Sequence, residues 1–195
     1  MQSKSHWENV YSKKEPTEVS WFQEHALHSL NMIRDTGVPS SASIIDVGGG
    51  ASTLVDDLLA NGYSNLTVLD LSAAALAAAR NRLGDVGNSV QWLEADITRA
   101  SLPSHAFDVW HDRAVFHFLT RQEDRAAYVQ TVLNSVKPGG HVIVATFAED
   151  GPMMCSGLPV MRYSAGQLHA EFGEFCTLMH HDREEHITPF GTVQK

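Results

Sequence analysis

Cysteine is scarce in this chain: only Cys155 and Cys176 occur in 195 residues. Two thiols make no disulfide framework, and their scarcity suits a reducing compartment. Long apolar runs are missing too, since no stretch approaches the roughly 18 residues of a membrane span. The polar start, Met1 to Asn9, lacks the apolar core of a secretory signal. The chain is therefore expected in the cytoplasm, away from membranes. Basic residues are few: 14 Lys and Arg stand against 23 Asp and Glu, a formal net charge of −9. Affinity for nucleic-acid phosphates comes mainly from Lys and Arg, so duplex binding is not expected. A cationic ligand or a basic protein segment is not excluded. There is no internal repeat and no long low-complexity linker. What is present is a 43 % hydrophobic composition, enough for a real core, at a length that suits one domain.

The clearest joint is Pro39-Ser40-Ser41-Ala42-Ser43, which divides the chain into residues 1–40 and 41–195. In the first part, residues 19–34 read as a helix stopped by Gly37 and Pro39. In the second, short apolar runs alternate with helical stretches. Strands are expected over Ser43-Ile44-Ile45-Asp46-Val47 and over residues 66–70, 90–93, 107–111 and 141–147. Helices are expected over residues 52–60, from the Ser72 cap to about Leu83, and from a Thr120-Arg121-Gln122-Glu123 capping box to about Val136. Lys137-Pro138-Gly139-Gly140 reads as a turn. Strand and helix in such alternation imply a parallel sheet covered on both faces. Ser164-Ala165-Gly166-Gln167 then opens a short helix. Residues 175–187 and those from Thr192 onward read as two strands about a Pro189-Phe190-Gly191 turn, an antiparallel edge. Lys195 falls inside the last of them, as in a trimmed strand.

Chemistry concentrates at the strand tips. In open α/β sheets ligands bind at the carboxyl ends of the strands. Gly48-Gly49-Gly50 lies at such an end, where bare backbone lets a ligand approach closely. Asp46 stands just before it. A carboxylate there repels a pyrophosphate but suits a cation, and S-adenosylmethionine carries both an ammonium and a sulfonium. The dinucleotide pattern G-x-G-x-x-G fails, because Thr53 fills its third glycine position. Asp70, with Leu71 beside it, ends the second strand at the spacing expected of an acid that accepts from vicinal ribose hydroxyls. Asp96 follows the third strand, placed to accept from an adenine amino group while the Ile97 N–H meets a ring nitrogen.

Ile44-Ile45-Asp46-Val47-Gly48-Gly49-Gly50 resembles motif I of the class I S-adenosylmethionine-dependent methyltransferases. Leu69-Asp70, Ala95-Asp96-Ile97, Phe107-Asp108-Val109-Trp110 and the stretch around Lys137-Pro138-Gly139-Gly140 resemble the later motifs in order, over residues 43–147. Ser52 stands where the family often has a further glycine. The resemblance implies a Rossmann-like α/β fold: a seven-stranded, mostly parallel sheet with an antiparallel last strand. It implies S-adenosylmethionine as cofactor and S-adenosylhomocysteine as product. It also implies an N-terminal cover, residues 1–40, in which Trp7, Tyr11 and Trp21 fold over the cofactor, where aromatic faces attract a sulfonium.

By the same resemblance, the segment after the fourth strand lies beside the reactive methyl group. His111 and Asp112 are expected to line the cofactor, Arg113 to pair or meet substrate, and His117 to serve as general base. Alignment alone can also accelerate methyl transfer, so a base is not required. Met153, Met154, Cys155, Met161, Arg162 and Tyr163 are candidate substrate-facing residues. His180 and His186 would lie about 20 Å apart on a strand at roughly 3.3 Å per residue, too far to share a metal ion, so surface histidines and no metal are expected. The leading reading is methylation of a small molecule. Protein lysine methylation and a non-catalytic cofactor-binding regulator stay open, with a nicotinamide dehydrogenase a distant third. The sequence names neither the acceptor atom nor the oligomeric state.

Overall fold

The five apolar runs become the five strands of one parallel sheet. The computed structural model describes residues 4–13 and 15–195; residues 1–3 and 14 of the expected cover lie outside them. The strands are β1 (Ser43–Val47), β2 (Asn65–Asp70), β3 (Gln91–Glu94), β4 (Phe107–Arg113) and β5 (Val136–Ala145). Their order in space is β3-β2-β1-β4-β5, with every pairing parallel. The chain runs outward from β1 to β3, then crosses back to β4, so the switch point lies between β1 and β4. That is where such sheets bind ligands.

Among the described residues six α-helices accompany the sheet: α1 (Lys4–Lys13), α2 (Leu27–Asp35), α3 (Leu54–Ala60), α4 (Ala73–Leu83), α5 (Gln122–Ser135) and α6 (Ala165–Phe172). Alternation along the strands sorts side chains onto two faces. Ile44, Val68 and Val109 face Leu30 and Ile33 of α2, Leu54 and Leu58 of α3, and Leu76 of α4. Ile45, Leu69 and Trp110 face Tyr128 and Val132 of α5 and Phe172 of α6. Each such side chain contributes roughly 1.5–3 kcal/mol relative to leaving it exposed. Among the described residues no helix is long and apolar enough to cross a membrane.

Several local expectations give way to tertiary contacts. The helix expected over residues 19–34 begins only at Leu27. The Asp57 carboxylate of α3 accepts from Ala26 N at 2.7 Å and from His25 Nδ1 at 2.8 Å, and so fixes the start of α2 from outside. The Thr120 capping box does not form. Arg121 is the residue before α5 and makes no side-chain cap, while Glu123 pairs with Arg121. The Ser72 and Ser164 caps do form, at 3.2 Å each. Residues 137–140 bulge out of β5: Phe107 pairs with Val136, but Val109 pairs with His141.

The described sheet has five strands rather than seven. Residues 176–185 form no strand; most are exposed and the run Asp182-Arg183-Glu184-Glu185 has no apolar face to bury. The hairpin survives as β8 (His186–Ile187) and β9 (Val193–Gln194), antiparallel to each other and separate from the main sheet. A second small hairpin joins β6 (Met154–Cys155) to β7 (Leu158–Pro159).

Candidate active site

The turn after β1 is shaped by what glycine lacks. Gly48 has φ +73°, a left-handed conformation, and donates its N–H to Leu69 O at 2.7 Å. A Cβ on Gly48 would strike Val115, and one on Gly49 would strike the Asp46 carboxylate and Val68. One on Gly50 would meet the Asp70 carboxylate. The three glycines thus let two buried acids lie directly beneath the loop.

Asp46 and His111 are register partners on β1 and β4. Asp46 Oδ1 accepts from His111 Nδ1 at 2.7 Å, and both residues are buried. The other carboxylate oxygen, Asp46 Oδ2, is buried without a partner. An unpaired acceptor in such a place costs about 1–3 kcal/mol unless a ligand supplies a donor. Asp70 Oδ1 accepts from Ser72 N at 2.8 Å. Burial pushes the Asp70 pKa up to about 7, opposed by the Ser72 amide and reinforced by the nearby Asp46 charge. Asp96 Oδ1 accepts from Thr98 N at 3.0 Å and Thr98 Oγ1 at 2.8 Å.

Two clefts meet across this edge. The larger encloses about 940 Å³, part of it open to solvent, and reaches from Asp70, Asp96 and Ile97 to Trp7, Phe118 and Cys155. The smaller, about 560 Å³, holds Asp46, Gly49 and His111. Tyr11, Trp21, Gly48 and Arg113 border both. Trp21 Nε1 donates to Tyr11 Oη at 3.2 Å. The ring centroids of Trp7 and Trp21 lie 5.7 Å apart, and those of Trp7 and Phe118 5.2 Å apart. The resulting aromatic wall is carried by α1 and the segment after it. Glu8 of α1 caps α4, accepting from Ala73 N at 2.6 Å and Ala74 N at 3.3 Å. Lys4 pairs with Glu94, and His6 meets Ser156 at 3.3 Å.

Of the residues singled out in the sequence, Trp7, Tyr11, Trp21, Asp46, Gly48, Gly49, Asp70, Leu71, Asp96, Ile97, His111 and Arg113 border one cleft or the other. Gly50 lies behind Asp70. Asp112 lies in neither cleft: it is fully buried and accepts from Tyr128 Oη at 2.6 Å, Val115 N at 2.8 Å and Phe116 N at 3.1 Å. It organises the β4–α5 connection instead. His117 is also fully buried, its ring centroid 4.4 Å from that of Phe118 and 4.8 Å from that of Phe147. Burial, then the Arg113 charge, lowers its pKa to about 3, so the imidazole stays neutral and is a poor proton acceptor. Of the Met-rich loop, Cys155 borders the larger cleft. Met154 is exposed, Arg162 bonds Gly151 O at 3.2 Å, and Tyr163 packs against Phe116. His180 and His181 are exposed, but His186 is buried and donates to Ser20 O at 2.8 Å. Among the described residues no group of three or more metal-ligating side chains gathers. Glu8, Thr98, Phe118 and Leu119 were missed; only the aromatic Phe116-His117-Phe118 run advertised any of them.

A glycine cradle over a parallel sheet, an orphaned acid beneath it and further acids at the next two strand tips define a nucleoside-cation pocket of the methyltransferase kind. The comparisons with known proteins agree. The methyltransferase-domain family model matches residues 45–144, and the chain belongs to that family of S-adenosylmethionine-dependent methyltransferases. It is 26 % identical over 158 residues to EEF1A lysine methyltransferase 2 of Danio rerio, covering 74 % of this chain and 68 % of that one. It is 25 % identical over 146 residues to the ubiquinone/menaquinone biosynthesis C-methyltransferase UbiE of Hahella chejuensis, covering 72 % of this chain but only 57 % of the relative. A methyltransferase structure from Methanosarcina mazei shares the fold with a TM-score of 0.67 at 15 % identity, covering 84 % of this chain and 92 % of that one.

Proposed function

We propose that this methyltransferase acts on a small-molecule acceptor inside the covered cleft, with residues 1–40 as the cover and residues 41–195 as the catalytic domain. The observation that carries this reading is the aromatic wall of Trp7, Tyr11 and Trp21 over the strand tips, which encloses one side of the cleft and leaves the rest open to solvent. In this reading Asp70 accepts from both ribose hydroxyls, with Leu71 beside it. Asp96 and the Ile97 N–H hold the adenine. Gly48, Gly49 and Gly50 pass the amino-acid end over bare backbone, and Asp46 Oδ2 accepts from its ammonium. The Asp46 carboxylate fixes the His111 ring through Nδ1, leaving Nε2 for the ligand. When bound, S-adenosylmethionine supplies an electrophilic methyl carbon on a sulfonium. The aromatic faces attract that cation and exclude water from it. Transfer then rests on alignment, which suits a site whose best base candidate, His117, is buried and neutral.

We also assign the hairpin of β8 and β9 to the start of the antiparallel edge of a seven-stranded sheet. Ala148 N, just beyond β5, donates to Lys195 O at 3.0 Å, as a neighbouring strand would require.

A second reading, protein lysine methylation, is favoured by the name of the Danio rerio relative and by the acidic balance of this chain. The test is incubation with radiolabelled methyl donor and cell extract, followed by ultrafiltration. Label in a filtrate compound that separates from the donor on chromatography, and that needs the protein to form, supports the small-molecule reading. Label retained on protein overturns it. No turnover, with S-adenosylhomocysteine still bound in calorimetry, favours the regulator.

A further inference from the structure

Among the described residues, the acceptor end of the larger cleft is bordered by one cation. The charged residues bordering that cleft are Asp70, Asp96, Arg113 and Asp124. Two of the acids belong to the nucleoside end, and the Asp124 carboxylate lies 4.0 Å from Arg121 Nε. Arg113 closes β4. Its neighbour Ala114 has φ +73° and donates to Ala145 O at 2.9 Å. A left-handed Ala costs on the order of 1–3 kcal/mol, the kind of strain that persists where a side chain must be aimed. The guanidinium has five N–H donors. Its described contacts are the Trp21 carbonyl at 3.3 Å and Glu184 at 3.7 Å, which leaves donors for a ligand. The side chain is 21 % exposed, so bulk water screens it little.

Apart from the Asp124 carboxylate, which lies beside Arg121, the same end is poor in proton acceptors. His117 is neutral and walled in by Phe118 and Phe147. Burial pushes the Cys155 thiol up to about 11, and burial with the Asp70 charge raises Tyr11. An ammonium or an alcohol arriving here finds little to remove its proton, and an ammonium also meets the Arg113 charge. An acceptor that is already an anion needs no base.

We propose, resting on the small-molecule reading above, that Arg113 is the specificity-determining residue, and that it selects a small preformed anion, a thiolate or a carboxylate. The lone pair of the anion forms a bond to the donor's methyl carbon while the electron pair of the S–CH3 bond stays on sulfur. Anion and sulfonium become two neutral products, and no proton has to leave.

The test uses the full chain as wild type, Arg113→Gln and Arg113→Lys. Acceptors of one ring size are compared: thiophenol, benzoate, benzylamine and benzyl alcohol, with S-adenosylhomocysteine release as the assay. Calorimetry measures benzoate binding to the protein loaded with S-adenosylhomocysteine. The expected result is turnover of thiophenol or benzoate, the active one identifying the source of the anion, and none of benzylamine or benzyl alcohol. Arg113→Gln should raise the acceptor KM about tenfold or more and abolish benzoate binding, as loss of charge-assisted hydrogen bonds predicts. Arg113→Lys should restore part of both, with S-adenosylhomocysteine affinity held within about threefold. Equal turnover of benzylamine overturns the proposal, as does absence of benzoate binding to the wild type. So does an Arg113→Gln defect confined to S-adenosylhomocysteine affinity, which would make Arg113 a donor-binding residue. Failure of the wild type to bind S-adenosylhomocysteine at all would strike the methyltransferase reading instead.

Discussion

Asp70→Asn separates the charge of this carboxylate from its shape. Asp70 is 8 % exposed. Burial, opposed by the Ser72 amide and aided by the Asp46 and Glu8 charges, raises its pKa from 3.8 to about 7. Between those values the folded protein holds a proton that the unfolded chain has released. Folding stability therefore falls as pH rises through that window. At about 1.36 kcal/mol per pH unit, the displacement amounts to about 4 kcal/mol by pH 8. Asn cannot ionise and is spared this loss. Its carbonyl still accepts from Ser72 N, but as a weaker acceptor, which returns about 1 kcal/mol. The variant should be more stable than the parent by about 3 kcal/mol at pH 8, with the advantage gone near pH 4. Donor binding should move the other way. Loss of charge-assisted bonds to two ribose hydroxyls weakens S-adenosylhomocysteine by at least about 1.4 kcal/mol, or tenfold. Denaturant titrations at both pH values and calorimetry at pH 8 measure the two effects. A variant no more stable than the parent at pH 8 would refute the burial argument. Unchanged affinity would refute the ribose assignment.

Three further substitutions test other parts of the site. Gly48→Ala forces a Cβ into Val115 at a left-handed φ, so it should destabilise by more than about 1 kcal/mol and abolish S-adenosylhomocysteine binding; intact binding in calorimetry would dissolve the cradle. Tyr128→Phe removes the 2.6 Å donor to Asp112 and the 2.9 Å acceptor for Trp110 Nε1. It should cost about 1–3 kcal/mol at pH 8 and less at pH 5, because burial raises the Asp112 pKa to about 6 and protonation relieves the loss; equal denaturant midpoints for variant and parent would contradict this. His117→Phe replaces an imidazole whose two nitrogens lack partners. The folded-state pKa of about 3 lies below the ordinary 6.5, so the parent loses stability as pH falls through that window. The variant should resist acid better in melts at pH 5 and keep its kcat; a thousandfold loss of kcat would restore His117 as the base.

The strands were legible because buried parallel strands are continuous apolar runs, and the acids because each lies within two residues of the end of such a run. Alternation along β4 sorts its polar residues onto two sides. His111 and Arg113 share a side with Val109, toward the cleft, while Asp112 shares a side with Trp110, toward Tyr128 of α5. That rule alone separates the cleft residues from the buried acid between them. Other features were illegible because they depend on partners far away in the chain. The delayed start of α2 rests on Asp57, and the docking of α1 rests on Glu8 meeting the free amides of α4. His117 looked like a base because its residue type fits that task, but residue type carries no information about burial.

Helix α1 contains no buried residue, yet it carries Trp7 and Tyr11 to the cleft and is tied down at Glu94, at the start of α4 and at Ser156. Its departure would leave both hydrophobic layers of the sheet untouched. With α1 as the proposed cover, how long a ligand dwells and how well the domain holds together would be set by different sets of residues. In that reading, substitutions on the exposed side of Lys4–Lys13 should retune release of a spent donor while the melting behaviour of the scaffold stays where it was.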